Sequence, residues 1–365
     1  EFGMKVTTVN GQSVDGNSIS FKALEKITVE GEVLDASGQL VTDFTGIVNP
    51  TVKDSKVTVT CLKNSNKDDS PAFTFTDYPN TIFIGNDSVR NGKFSFTFTV
   101  PKDISYSNLQ GKMNLYAVDT ESGNEAQGNF DNFIVGGTSD TAETDTIGPE
   151  IRALYLNDTT FMDGGQVNTT PYFVAELWDK SGVNITGSSV GHDMMLVIDE
   201  STVLSYNLNS YYELLPGEDG TGIVKFPIPA LEPGKHTAEF WVWDILNNST
   251  VRTFTFEVVE GLKPFLFDVI ATPGIAREQV TFHLMHNRPE SRMRVGIMVY
   301  DLAGRQLWKH EESGTSGLFE NYTVSWDLTS GGARMRPGVY IYRAAISTDN
   351  SKDATKARKF IILGE

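Results

Sequence analysis

The chain has 365 residues, of which 11% are aromatic and 21% charged, and this composition predicts folded domains rather than a disordered polymer. Its 47 acidic residues outnumber its 30 basic residues, and the net charge of −17 argues against a nucleic-acid-binding protein or one that coats an anionic membrane. The sequence has no run of about 20 apolar residues that could span a membrane as a helix, and its single cysteine excludes an intrachain disulfide.

The first residues, Glu1-Phe2-Gly3-Met4, do not form a charged and then apolar leader. We therefore expect a fragment of a larger protein, whose activity could lie in the missing part.

Alternating apolar and polar residues predict β-strands along the whole chain. A period of two places one side of each strand on a core and the other in water. Turn-forming pairs such as Asn91-Gly92 and Pro337-Gly338 separate these segments, and no long segment has helical spacing. The clearest alternating segments are residues 27–33, 93–100 and 253–258.

An internal repeat organises these strands. Gly111, Gly234 and Gly338 each precede a strand that is followed by a polar hairpin and a final strand, and they lie 123 and 104 residues apart (234−111 and 338−234). This spacing is typical of an immunoglobulin-like sandwich. We predict an all-β chain of three tandem immunoglobulin-like antiparallel β-sandwich domains, at residues 1–138, 147–260 and 262–365.

Charge differs between these predicted domains. Residues 1–140 carry 11 basic and 18 acidic groups (net −7), residues 141–261 carry 5 and 18 (net −13), and residues 262–365 carry 14 and 11 (net +3). The basic third domain suits docking to an acidic partner. Ordinary variation in surface charge is the alternative.

Catalytic chemistry finds little support in the residues. Cys61 ends the alternating segment 57–61 on its apolar side, and the first domain contains no histidine to activate a thiol. We therefore predict that Cys61 is a small core residue. No GxSxG motif for a serine nucleophile is present, so we expect this chain not to be an enzyme and assign it no catalytic residue.

Metal and cofactor sites are equally weakly indicated. His283 and His286 lie three residues apart on a predicted strand, which places them on opposite faces and argues against a shared metal. Three acidic loops offer oxygen atoms to calcium, although we expect solvated turns there and predict no other cofactor. These loops contain Asp68 and Asp69, Asp119 with Glu121 and Asn124, and Asp179 with Asp244.

Four aromatic residues suggest an alternative function. Trp241 and Trp243 share one side of a strand, and Tyr211 and Tyr212 lie in the same predicted domain. Such rings could form a platform for a carbohydrate or glycolipid, although packing in the core or at a domain contact is favoured for tryptophans on a strand that is apolar on both sides.

Four sequence blocks near the C terminus carry a family resemblance. They comprise residues 295–305, 325–328, 336–343 and 359–362, with the cores Tyr300-Asp301-Leu302-Ala303-Gly304, Trp326-Asp327 and Pro337-Gly338-Val339-Tyr340. In order and spacing they resemble the C-terminal sorting domain of type IX secretion substrates, which is similar to the immunoglobulin-like module of flagellar hook-capping proteins. Residues 4–365 together resemble the region that follows the catalytic domain of gingipain-type cysteine peptidases, specifically their cell-surface sortases.

This resemblance implies a function for the parent protein. An upstream caspase-like domain, absent here, would remove cargo sorting domains and attach cargo to anionic lipopolysaccharide. The terminal domain would direct export through the periplasm to the cell surface and dock to an outer-membrane β-barrel shuttle protein and other type IX components. The alternative is the C-terminal region of another gingipain-type surface protease. Candidate sorting and docking residues, most of them expected to serve the fold, are Tyr300, Asp301, Gly304, Trp326, Gly338, Tyr340 and Lys359.

Overall fold

A computed structural model describes residues 2–62, 72–140, 145–187, 191–215, 220–348 and 350–364. Across these residues the regular structure consists of β-strands and one short 3₁₀ helix, Asn209–Tyr211, without any α-helix. The predicted all-β class is therefore confirmed. No helix in the described ranges is long and apolar enough to cross a membrane.

Fourteen strands lie in the described residues between 2 and 138. A nine-stranded sheet has the order β12-β13-β1-β4-β10-β9-β5-β8, with β2 beside β1, and it closes because β12 also pairs with β5. A second sheet has the order β11-β14-β3, and β6 pairs with β7 in a separate hairpin. The strands are β1 Phe2–Val9, β2 Gln12–Ser13, β3 Ile19–Ala23, β4 Lys26–Leu34, β5 Gly46–Lys53, β6 Val57–Thr60, β7 Thr74–Asp77, β8 Thr81–Ile84, β9 Asp87–Arg90, β10 Lys93–Thr99, β11 Leu109–Gln110, β12 Lys112–Asp119, β13 Glu125–Phe130 and β14 Phe133–Thr138.

In the part of 150–258 that the structure describes there are nine strands. They form a four-stranded sheet of order β15-β17-β21-β20 and a five-stranded sheet of order β16-β23-β22-β18-β19. The strands are β15 Glu150–Leu156, β16 Gln166–Val167, β17 Tyr172–Trp178, β18 Met195–Ile198, β19 Ser205–Asn207, β20 Tyr212–Leu214, β21 Thr221–Pro227, β22 Gly234–Trp243 and β23 Ser249–Val258.

Ten strands are formed by residues 266–348 and 350–362. They form a three-stranded sheet of order β24-β26-β29, a five-stranded sheet of order β25-β33-β32-β27-β28 and the small pair β30-β31. The strands are β24 Leu266–Thr272, β25 Ile275–Ala276, β26 Val280–His286, β27 Met293–Tyr300, β28 Gln306–Gly314, β29 Tyr322–Trp326, β30 Thr329–Ser330, β31 Ala333–Arg334, β32 Gly338–Ser347 and β33 Ala354–Ile362.

The repeat is visible in the strand pairing. In each third of the chain a short early strand pairs in parallel with the last strand, namely β3 with β14, β16 with β23 and β25 with β33. The other pairings in the last third are antiparallel. One prediction needs refinement: the final strand of the first repeat is interrupted at Asp131-Asn132, which separates β13 from β14.

Two hydrophobic cores belong to the first and last thirds. The first comprises buried residues between Met4 and Val135. Its phenylalanines stack along β10, where the ring centroid of Phe96 lies 6.3 Å from those of both Phe94 and Phe98. The second joins buried residues between Leu266 and Ile362. Alternation explains both, because successive side chains of a strand face opposite sides.

The chain forms two compact units. The first comprises Glu1–Leu154, Ala175–Lys225 and Ala238–Thr253. The second comprises Tyr155–Val174, Phe226–Thr237 and Phe254–Glu365. The predicted domain limits near residues 138 and 262 fall between strands, since β14 ends at residue 138 and β24 begins at residue 266, and they stay a prediction.

Candidate functional site

Asp301 and Gly304 form the tight turn between β27 and β28. The Asp301 carboxylate accepts hydrogen bonds from the backbone N–H of Ala303 (3.0 Å) and of Arg305 (2.9 Å). The Arg305 N–H bond, with that residue's positive charge, lowers the pKa of Asp301. Gly304 adopts φ +83°, in the left-handed region that favours glycine. Both residues therefore shape a hairpin.

Trp326 and Tyr340 anchor the core of the last third. The indole of Trp326 stacks on Trp308 with ring centroids 4.5 Å apart, and its Nε1 donates to the Thr329 carbonyl at 2.8 Å. The Tyr340 hydroxyl donates to the Arg336 carbonyl at 2.7 Å. Both side chains are buried, so a role in the fold accounts for them.

The remaining three candidates lie nearer the surface. Gly338 begins β32, and a Cβ added there would meet the Tyr340 ring at an ordinary 3.7 Å. Lys359 is exposed on β33 and Tyr300 is half-buried at the end of β27. In the sheet register Lys359 pairs with Ile341, which pairs with Tyr300. These two predicted residues thus share one row on the outward side of the five-stranded sheet.

The sequence analysis did not predict the exposed apolar residues that lie beside the row of Tyr300 and Lys359. Val339 pairs with Ile361, and Ile361 pairs with Ile275 of the edge strand. All three side chains are exposed. One sequence pattern could have revealed these residues, because β32 carries apolar residues on both of its sides. Tyr340 lies on one side, and Val339 and Ile341 lie on the other.

Three carboxylates come together in the first compact unit. One oxygen from each of Asp145, Asp179 and Asp244 lies within 4.8 Å of the others. Asp179 and Asp244 are buried, so the expectation of solvated turns is wrong for both. Burial raises the pKa of Asp179 to about 6, and the nearby charges of Asp244 and Asp145 add to the effect.

Local loops hold these carboxylates in place. Asp179 accepts hydrogen bonds from the backbone N–H of Ser181 (2.8 Å) and Gly182 (2.9 Å). Asp145 Oδ2 accepts from the Ser181 hydroxyl at 2.8 Å. Carboxylate oxygens are ligands that calcium takes, and among the described residues these three could hold it together. Calcium binding stays the alternative that the sequence analysis left open.

The other two acidic loops have different outcomes. Asp119 is buried rather than solvated and accepts hydrogen bonds from the backbone N–H of Thr45, Glu121 and Ser122, at 2.8–3.1 Å. These bonds lower its pKa to about 2, which makes Asp119 a structural turn residue. Asp68 and Asp69 lie outside the described residues.

Cys61 is exposed, and the prediction of a core residue is therefore wrong. It follows β6, which pairs only with β7 among the described strands, in a hairpin separate from the two sheets of this region. The neighbouring Phe73 is 71% exposed. Alternation identifies the two sides of a strand, but both sides of this hairpin are accessible.

The aromatic residues of the carbohydrate hypothesis do not share one open surface. Tyr212 is buried, whereas Tyr211 is 39% exposed. Trp243 lies against His192 with ring centroids 4.5 Å apart, and Trp241 is half-buried with its Nε1 donating to Glu239 at 3.3 Å. A sugar platform requires an uncovered ring face, so this arrangement gives the alternative little support.

A polar cluster that sequence reasoning missed surrounds Asp103. Its carboxylate lies 2.6 Å from His192 Nδ1 and accepts hydrogen bonds from the side-chain amides of Asn247 (2.9 Å) and Asn184 (3.4 Å). The nearby backbone N–H of Lys102 donates to the Ile245 carbonyl at 2.8 Å. This cluster links residues 81 to 144 positions apart, a separation that no local sequence pattern reveals.

Comparison with known proteins supports the sequence resemblance. The chain is 37% identical to PorU from Porphyromonas gingivalis, described as dimeric and latent in its crystal structure, and the match covers 100% of this chain and 34% of that one with a TM-score of 0.44. The match confirms that the chain resembles a region of PorU. The chain spans about a third of the length of PorU.

Two other solved structures share less with the chain. A Bacteroides ovatus SGBP-B, in complex with a mixed-linkage heptasaccharide, is 9% identical, covering 99% of this chain and 70% of that one at a TM-score of 0.24. The chicken CNTN1 FN1–FN3 domains are 8% identical, covering 99% and 98% at a TM-score of 0.21. No protein-family profile and no curated protein matches the chain.

Proposed function

We propose that this chain is the non-catalytic accessory and targeting region of a gingipain-like type IX secretion sortase. The observation that carries the proposal is the 37% sequence identity to PorU. The match covers the whole of this chain and 34% of PorU. The catalytic domain would lie upstream in the same polypeptide. The parent enzyme would remove cargo sorting domains and join cargo to anionic lipopolysaccharide at the cell surface.

Within this region, residues 262–365 direct export and dock to an outer-membrane β-barrel partner. Three features support this assignment. The sorting-type blocks lie there in order, the segment carries a net charge of +3 (14 basic and 11 acidic groups) against −17 for the chain, and it has a hydrophobic core of its own. A positively charged unit attached to acidic ones favours encounter with an acidic partner.

Deletion of residues 262–365 from the full-length parent protein tests this function. We expect the truncated protein to accumulate in the periplasm and to be lost from the surface, as measured by protease accessibility and fractionation of intact cells. The control is a full-length variant with Lys263 and Lys352 both changed to Glu. Both lysines are exposed, so this variant keeps the last domain in place and should be delivered normally. Normal surface delivery of the truncated protein contradicts the proposal.

A further inference from the structure

The outward side of the five-stranded sheet in the last third carries an unusual apolar row. Ile275, Ile361 and Val339 are direct neighbours across β25, β33 and β32. They are 56%, 36% and 40% exposed. Their strand neighbours Ala276, Ile362 and Tyr340 face the core and are buried, so the exposed row is additional to the residues that stabilise the fold.

The row is continuous rather than scattered. Leu363 extends it beyond the end of β33 with 37% exposure, and the next row inward contains Ile341 and Tyr300. Single exposed apolar residues are normal on protein surfaces, whereas contiguous patches mark interaction sites. β-Branched residues on a pleated sheet have few rotamers, so this patch loses little side-chain entropy on binding.

Two cations border the apolar row. Lys359 lies beside Ile341 in the register, and Arg343 lies two residues further along β32, opposite Met298. Both are exposed, and neither has an ion-pair partner among the described residues. Three arginines of this segment, by contrast, are paired: Arg305 with Asp301, Arg294 with Asp353, and Arg358 with Asp268.

We propose that this surface, formed by Ile275, Val339, Ile361 and Leu363 with Lys359 and Arg343, is the face that docks to a partner protein. The inference rests on the proposed function and assigns it to one side of one sheet. The partner surface would have an apolar centre flanked by carboxylates, because apolar contact supplies affinity while opposite charge fixes orientation.

Charge disfavours a symmetric contact between this surface and the same surface of a second copy. A two-fold interface places the same patch on both sides, and this patch contains no carboxylate that could pair with Lys359 and Arg343 of the second copy. The proposed surface itself contains none of the tryptophan and tyrosine residues that typically anchor proteins at a lipid interface, and Tyr300 in the adjacent row is half-buried. A protein with complementary carboxylates therefore fits the surface better than a membrane.

Site-specific photocrosslinking in the full-length parent protein, in its own cells, tests this inference. A photoreactive residue replaces Val339, and a matched probe replaces Ile270, which is 45% exposed on the other sheet. We expect one outer-membrane protein to crosslink at position 339 and not at position 270. The yield should fall about tenfold when Arg343→Glu and Lys359→Glu are combined, since reversing two charges at an interface opposes the partner carboxylates.

The Lys263→Glu/Lys352→Glu variant is the control, because it changes net charge equally at exposed lysines outside this surface. Crosslinking that survives the Arg343/Lys359 reversal, adducts to lipid only, or no adduct from surface-located protein each overturn the inference. Unchanged thermal unfolding of the variants excludes misfolding. If deletion of residues 262–365 blocks delivery while the crosslink fails, the proposed function stands and the docking face is wrong. If the truncated protein is delivered normally, the proposed function is wrong whatever the crosslink shows.

Discussion

At the scale of single residues, the sorting-type motif separates into residues that stabilise the fold and residues available to a partner. Trp326 stacks on Trp308 in the core, and Asp301 accepts two backbone hydrogen bonds in a turn. Lys359 has no such role, because it is exposed on β33. One sequence motif can therefore contain residues that stabilise the fold and residues that bind a partner. Measuring the stability of single substitutions distinguishes the two kinds of residue.

We predict opposite outcomes for Trp326→Ala and Lys359→Ala. Removing the buried indole should lower the free energy of unfolding by about 3–5 kcal/mol, because it leaves a cavity and an unsatisfied Thr329 carbonyl. Removing the lysine side chain should change it by less than about 0.5 kcal/mol. Urea unfolding of both variants measures this. Equal destabilisation of the two variants would contradict the assignment of Trp326 to the fold and of Lys359 to partner binding.

Asp179 should make the protein less stable as pH rises. Its pKa in the folded state is raised to about 6, so the folded protein binds a proton more tightly than the unfolded chain. Stability contributed by the protonated carboxyl is present below about pH 4 and is lost as pH rises through about 6. Asp179→Asn removes the charge and keeps an oxygen that can accept from Ser181 and Gly182.

We therefore expect Asp179→Asn to raise the free energy of unfolding by about 1–3 kcal/mol at pH 7.5, in buffer with a chelator, and to have little effect near pH 4. Thermal unfolding across this pH range measures the difference. Asp119→Asn is the matched control with the opposite sign, because the pKa of Asp119 is lowered to about 2. A destabilised Asp179→Asn at neutral pH would refute the interpretation.

His286 should confer the reverse pH dependence. Its Nδ1 accepts the Arg288 backbone N–H at 3.1 Å and its Nε2 lies 2.9 Å from the Ser316 hydroxyl, an arrangement that requires a neutral ring. Burial, followed by the Arg288 charge, lowers its pKa to about 4. Stability present above about pH 6.5 is thus lost as pH falls towards 4.

Comparing His286→Gln with the unmodified protein between pH 7.5 and pH 4 tests this expectation. The unmodified protein should lose up to about 3 kcal/mol more than the variant across that range. Chemical unfolding at each pH gives the two curves. Parallel curves would show that His286 does not contribute to acid sensitivity.

At the scale of elements, alternation predicted the strands well and their surroundings less well. The segment predicted at 93–100 became β10, Lys93–Thr99, with its phenylalanines buried. The same pattern at 57–61 gave β6, but that strand pairs with β7 outside the main sheets, which exposes Cys61. Alternation shows which residues share a side of a strand. Whether that side is buried depends on packing against residues distant in the sequence.

Long-range packing also explains what sequence reasoning missed in the candidate site. Asp179 and Asp244 were singled out as loop residues, but Asp145 joins them from the segment before β15, more than 30 positions away. The row of Ile275, Ile361 and Val339 likewise depends on sheet register. The carboxylate cluster leaves no local sequence signature, and for the row the only local signal is the apolar residues on both sides of β32.

The β6–β7 hairpin leads to a labelling prediction. Cys61 is the only cysteine, and it is exposed. We expect a maleimide reagent to modify the native protein stoichiometrically without denaturant, at a rate within about tenfold of that of the unfolded chain, because an accessible thiol needs no opening of the fold. Mass spectrometry over time measures the rate. Labelling that requires denaturant would restore the original core prediction.

At the scale of the whole molecule, the chain combines acidic repeats with a basic final one. Residues 1–261 carry 16 basic and 36 acidic groups, whereas residues 262–365 carry 14 and 11. The final segment has its own hydrophobic core, from Leu266 to Ile362. It also presents an apolar row with two unpaired cations among its described residues. These properties are the ones expected of the proposed docking module.

The most direct test of this account is transfer of the targeting property to a passenger. Residues 262–365 would be fused to the C terminus of a folded protein that is exported to the periplasm of a bacterium with the secretion system. The account predicts that the passenger becomes accessible to protease added outside intact cells, and that a fusion to residues 147–260 does not. A passenger that stays in the periplasm with residues 262–365 intact and attached would contradict it.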